Sequence, residues 1–291
     1  VREFKRKRGF LTIAQNSSID YVRLAYALAM SLKTSQSTIP WLSIIVTPGT
    51  EIEPKYRDVF DEIIEVPWGD AAEESAWKLE NEWKAYHVSP YEETIKLDAD
   101  MLFSEDISAW WDILAKQDVW ISTAVETYRG ETITSDHYRR VFTDNELPNI
   151  YTAFMYFKHS DHAQQLFDMV DTIWNNWDDF VNRLTPQTRQ PQTTDVVFAM
   201  AVKILDAENT MTFSGFPIPR FVHMKTKLQN WPETSNDDWT KHVDLKLHND
   251  GSVHIGVFQQ TLPVHYHVKS ALTDDIISKY ERLLDARPYV L

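Results

Sequence analysis

Short apolar runs alternate with amphipathic stretches through the first hundred residues. GFLTIAQ (9–15), WLSIIVTPG (41–49), IIEVP (63–67) and PYEETIKLDADMLF (90–103) are rich in β-branched and aromatic residues and read as strands. Between the first two, IDYVRLAYALAMSLK repeats Val22, Ala25, Tyr26, Ala29 and Leu32 at helical spacing. PKYRDVFDE reads as a short helix, and AAEESAWKLENEWKAYHV (71–88) as a longer one carrying Trp77, Leu79, Trp83 and Tyr86. Further on, ISAWWDIL is expected as helix, VWISTAVE as a strand, NIYTAFMYFK (149–158) as a core strand, and 160–181 and 193–205 as helices. SVHIGVFQ and LPVHYHVKS are candidate strands near the end. Strand and helix in alternation predict an α/β fold around a mostly parallel, doubly wound sheet. Such sheets bind ligands at the carboxyl ends of their strands.

The fourth strand carries two aspartates inside an apolar run, IKLDADMLF. Side chains at i and i+2 of a strand share a face, which puts Asp98 and Asp100 together. Two carboxylates that close repel and are costly to bury unless a cation joins them or one takes up a proton. The alternatives are a divalent metal site at a strand end and a plain turn after the strand. The first strand would bring Gln15, Asn16 and Ser17 to the same rim. PVHYHVK (263–269) adds His265 and His267 at i, i+2, with Lys269 two residues further as a point charge suited to phosphate. Imidazole with carboxylate favours Mn²⁺, or a mixed site that also admits Mg²⁺. A cupin reading of the H-x-H pair fails because no Glu follows in VKSALTDD. FVHMK adds His223 and Lys225 as lesser candidates, and which of His265, His267 and His223 binds metal is open at this stage.

Composition narrows the field. Only 7 glycines are present in 291 residues, and neither G-x-x-x-x-G-K nor G-x-G-x-x-G occurs, so a nucleotide would be held by other means. A net charge of −14 argues against broad binding to nucleic-acid backbones, although a local basic groove stays compatible with it. The basic run REFKRKR reads as a solvated tail. The lack of cysteine favours a reducing compartment. With no long apolar stretch or signal-peptide pattern, the expectation is a soluble, cytoplasmic protein without a membrane partner.

The order of parts resembles GT-A fold nucleotide-sugar glycosyltransferases, in particular the glycogenin-like and bacterial lipopolysaccharide galactosyltransferase group. YVRLAYALAMSLK, YEETIKLDADMLF and VHYHVK carry the likeness. NIYTAFMYF is similar to the family's middle strand, with Tyr151, Thr152 and Ala153 where the usual Gly is missing, and TTDVVF loosely echoes its Asp-Gln motif. The resemblance implies one catalytic domain over 1–291, with 1–103 as the nucleotide-binding half and 104–291 as the acceptor half. It implies that Asp98 faces the ribose and the metal, that Asp100 coordinates the metal, and that His265, or His267 in its place, is the third ligand. Mn²⁺ or Mg²⁺ would bridge the diphosphate of a UDP- or GDP-sugar, and Lys269 would help the leaving group. Gln15, Asn16, Arg23 and Lys84 are further candidates for donor contacts; Arg23 and Lys84 also read as structural helix charges. Asp195 is the candidate for the acceptor or reacting sugar, or a helix N-cap.

Two other functions fit parts of this pattern. A nucleotidyltransferase or phosphohydrolase could use a similar sheet, and a carbohydrate-binding module could use the many Trp and Tyr. A module of that kind has no need of an Asp pair and a distant His pair meeting at one point. The acceptor is open among saccharide, protein, small molecule and modified DNA base.

Overall fold

The structure, a computed structural model, describes residues 3–38, 40–75, 78–133, 139–213, 219–225 and 238–287. Its main sheet has six strands: β1 (Arg6–Ile13), β2 (Leu42–Val46), β3 (Glu62–Glu65), β4 (Tyr91–Asp98), β6 (Val119–Ser122) and β8 (Tyr151–Lys158). Their order is β3-β2-β1-β4-β8-β6. The first four run parallel, while β8 is inserted antiparallel to both β4 and β6. The sheet is therefore mixed and mostly parallel, as expected. All five residues of β2, the second half of β1 and nearly all of β8 are buried, as strands covered on both faces must be.

Arg6–Arg8, expected in a solvated tail, instead begin β1. Arg8 bonds Glu93 at 2.8 Å and Asp112 at 2.9 Å, and Arg6 lies over the Trp41 ring. Arg2 lies outside the described residues. Gly9 follows because a Cβ there would stand 2.3 Å from the ring of Tyr91 on the neighbouring strand.

The Tyr21–Ser35 helix is capped by the Asp20 carboxylate, which accepts from the Arg23 amide at 3.0 Å. It packs along the Asp274–Asp285 helix, so the chain's last helix covers its first. The Ser160 hydroxyl caps the Asp161–Asn175 helix, accepting from the Ala163 amide at 3.2 Å. The helix expected over 71–88 shrinks to a 3₁₀ turn at Glu82–Lys84 and one α turn at Ala85–Val88. Local side-chain bonds win there: Asp70 accepts from the Ala72 amide and from Asn81, and Lys78, at φ +56°, donates to the carbonyls of Ala72 and Glu73. Trp77 lies outside the described residues.

A second, four-stranded sheet lies beyond the carboxyl end of β4. It is formed by β5 (Met101–Leu102), β7 (Val125–Glu126), β9 (Phe221–His223) and β13 (Val264–His265), in the order β5-β13-β9-β7. VWISTAVE, expected as one strand, divides between the two sheets, β6 ending at a register shift and β7 continuing in the second. SVHIGVFQ is likewise a hairpin, not a strand: it turns at Gly256 (φ +59°) between β11 (Val253–Ile255) and β12 (Phe258–Gln260), next to β10 (Leu245–Leu247). Among the described residues, no helix is long and apolar enough to cross a membrane.

Candidate metal centre and adjoining cavities

Three segments far apart in sequence meet at one point. β4 ends at Asp98; a turn carries Ala99 and Asp100, and the chain re-enters as β5. β13 lies between β5 and β9, with His265 in register with Met101 on one side and His223 on the other. The Tyr266 amide locks this crossing by donating to the Asp100 carbonyl at 3.2 Å. His265 Nε2 is thereby placed 3.3 Å from Asp100 Oδ2 and 3.8 Å from Asp98 Oδ2. One ligand atom from each of Asp98, Asp100 and His265 lies within 4.8 Å of the others. Octahedral ligands at about 2.1 Å stand roughly 3 Å apart, so the set fits a small divalent cation after slight contraction. The chemistry of the donors, two carboxylates and one imidazole, suits Mn²⁺ or Mg²⁺.

The charge around the pair is arranged in layers. Lys96, two residues before Asp98 on the same strand face, is buried and donates to Asp98 Oδ1 at 2.8 Å while also pairing with Glu82. Burial would lower the Lys96 ammonium, but Asp98 and Glu82 outweigh it and hold the group above its usual range. Lys269 pairs with Asp100 Oδ2. Burial would raise the Asp100 carboxyl, but His265 and Lys269 more than offset this and hold it well below the usual carboxylate range. Asp98, Asp100 and Glu82 thus face the ammonium groups of Lys96 and Lys269, while burial pushes the Glu82 carboxyl up.

Two further histidines flank His265. Its ring stands 4.4 Å from that of His267, nearly parallel, and 5.3 Å from that of His223. The expected i, i+2 strand geometry does not explain the first pairing. β13 stops at His265, and His267 adopts φ +60°, a left-handed conformation costing a non-glycine residue about 1–3 kcal/mol. Burial pushes the imidazoles of both His223 and His267 well below the ordinary histidine value, so both are neutral.

The cluster forms the wall between two cavities. The first, about 460 Å³, is lined by Gln15, Tyr21, Glu82, Asp98, Asp100 and Lys269 among others. The second, about 360 Å³, is lined by Arg139, Tyr151, Gln190, Asp195 and His223. Asp98, His265 and His267 line both.

Other candidates have their own structural engagements. Gln15 lines the first cavity, its amide held by Thr47, Asp70 and Asn81. Asn16 instead accepts from the Val22 amide at the helix start. Arg23 reaches away, to the Leu272 carbonyl and Asp274. Lys84 is buried and donates to the Gly69 carbonyl at 2.7 Å. Asp195 does not cap its helix, Thr194–Ile204; it accepts from the amide and hydroxyl of Thr152 and from Arg139 on the wall of the second cavity. The residues missed were Lys96, Glu82 and Arg139. For Lys96 the signal was present, a lysine in a buried run at i−2 from Asp98. Arg139 and Glu82 had none, since their partners are remote.

No protein-family model matches the chain, and its sequence matches no curated protein. Solved structures do match. The galactosyltransferase LgtC, in complex with donor and acceptor sugar analogues, aligns at a TM-score of 0.52 with 10% identity over 97% of both chains. An active-site mutant of LgtC gives the same values. Mouse xyloside xylosyltransferase 1, apo form, aligns at a TM-score of 0.49 with 12% identity, covering 81% of this chain and 90% of that one. At such low identity the likeness speaks to architecture, and the chain has the GT-A fold, the fold of LgtC.

Proposed function

We propose that the chain is a metal-dependent glycosyltransferase that moves a sugar from a nucleoside-diphosphate sugar, a UDP- or GDP-sugar, to an acceptor. The observation that carries this reading is the meeting of Asp98, Asp100 and His265 in the wall between two cavities, at the carboxyl ends of the parallel strands. The first cavity would take the donor and the second the acceptor.

Asp98, Asp100 and His265 would hold Mn²⁺ or Mg²⁺, which when bound supplies Lewis-acid stabilisation of the departing diphosphate. Lys96 fixes the rotamer of Asp98 by donating to its Oδ1. Lys269 lines the donor cavity with its ammonium on Asp100. Side-chain rotation would carry that charge to the diphosphate, where a preorganised cation is worth several kcal/mol of barrier in a dry site. Asp195 shapes the acceptor cavity by holding Arg139 and the start of β8.

The experiment is thermal unfolding with UDP or GDP, with and without Mn²⁺, on wild type and Asp100→Ala. Stabilisation that requires both nucleotide and metal and vanishes in the variant is expected. Absence of any nucleotide-dependent shift in the wild type overturns the proposal and favours a sugar-binding module.

A further inference from the structure

His223, His265 and His267 offer one ligand nitrogen each, all within 4.8 Å of one another. Three unrelated features of the fold produce this. Register between β9 and β13 sets His223 beside His265, the left-handed backbone at 267 lays its ring against His265, and His223 and His265 are buried while the half-buried His267 faces both cavities. Nδ1 of His265 is buried without a hydrogen-bond partner. Such an arrangement is costly for ordinary core histidines, which satisfy their ring nitrogens.

We propose that His223, His265 and His267 form a second metal site, one for a divalent first-row transition ion such as Zn²⁺ or Co²⁺, alternative to the aspartate site because both use His265. Three imidazoles are the donor set of a tetrahedral ion with one open position, and oxygen-seeking Mg²⁺ has no place among them. With metal–nitrogen bonds of about 2.0 Å, the nitrogens of such a site stand roughly 3.3 Å apart, which the rings reach by small rotations. Of the cations around the cluster, Arg139 is paired with Asp195, and Lys225 lines both cavities beside the histidines. A neutral imidazole presents a single lone pair, so His265 serves one ion at a time. An ion on the three histidines therefore leaves Asp98 and Asp100 without their third ligand.

The test uses the metal-free full chain with no nucleotide or acceptor, so its result is independent of the transferase reading. Zn²⁺ is titrated in competition with a chromophoric chelator, and Co²⁺ is followed by its visible absorption bands. Proteins compared are wild type, His223→Gln, His267→Asn and Asp100→Asn. Asn tolerates the left-handed backbone, so His267→Asn removes the imidazole and keeps the fold. One Zn²⁺ per wild-type chain is expected, not displaced by millimolar Mg²⁺. Affinity should fall about tenfold or more in each histidine variant, with the Co²⁺ bands altered, and stay near wild type in Asp100→Asn. Wild type that binds no Zn²⁺ overturns the proposal. So does unchanged affinity in His267→Asn, or an equal loss in Asp100→Asn, which would return the ion to the aspartates.

Discussion

The ammonium of Lys269 rests on Asp100 Oδ2, the same carboxylate oxygen that His265 Nε2 faces at 3.3 Å. A protein cation thus occupies the electrostatic niche that a metal ion would claim. Its removal is expected to have opposite effects on the two ligands proposed for this site. In Lys269→Met, Mn²⁺ alone should bind about 3–10-fold more tightly, since a partly exposed ion pair worth about 1 kcal/mol no longer competes. Nucleoside diphosphate in the presence of Mn²⁺ should bind more weakly. Mn²⁺ titration by electron paramagnetic resonance, with and without nucleotide, reads both; weaker Mn²⁺ binding in the variant would remove Lys269 from this role.

Lys96 lies between Glu82 and Asp98 in the interior. Lys96→Met leaves two carboxylates facing each other without a cation, and should cost about 3–5 kcal/mol in urea unfolding. Adding Glu82→Gln should recover part of that loss, because a neutral amide removes the repulsion. A double variant as unstable as the single one would show that Lys96 acts through packing alone.

Gly9 and Tyr91 are matched in shape across β1 and β4. Gly9→Ala is expected to destabilise by about 1–3 kcal/mol through overpacking. In a Tyr91→Ala background the same substitution should cost little, a coupling that denaturant midpoints of the four proteins will measure. Strict additivity would contradict it.

Withdrawal of the half-buried Asp195 carboxyl from water would by itself raise its pKa, but Arg139 and Thr152 hold it below the ordinary aspartate value. A folded-state value lower than the unfolded one means stability that is present above about pH 4 and is lost as pH falls through the folded value. Asp195→Asn should therefore be less stable than wild type at pH 7, and the gap should narrow as acid is added below about pH 5. Urea midpoints measured from pH 7 down to pH 3 test this. A gap that stays constant would mean that the carboxylate charge plays no part.

The reach of the sequence follows the range of the forces involved. Strands β1 to β4 and the Tyr21–Ser35 helix were legible because burial imposes a local period on them. The Asp98–Asp100 pair and the need for a partner were legible because charge within an apolar run needs one; which of His223, His265 and His267 stands beside the aspartates was left open. The place of His223 was not legible, since β9 is three residues long and its neighbour β13 is known only from the fold. The helix expected over 71–88 failed through competition: its apolar spacing was real, but Asp70, Asn81 and Lys78 offered the backbone other bonds. His267 reached His265 by a backbone conformation that no residue pattern announces.

Asp100 and Lys269 are separated by 169 positions, and His265 lies almost as far along the chain. During synthesis the aspartates emerge long before the segment that completes their site, and the ends of that long loop must close before any cation can be captured. Capture of the proposed ion would therefore be a late event, conditional on docking of β13. A chain stopped short of β13 would keep the strands of the main sheet and lose His265, so an ion held by the proposed set would report that β13 has docked.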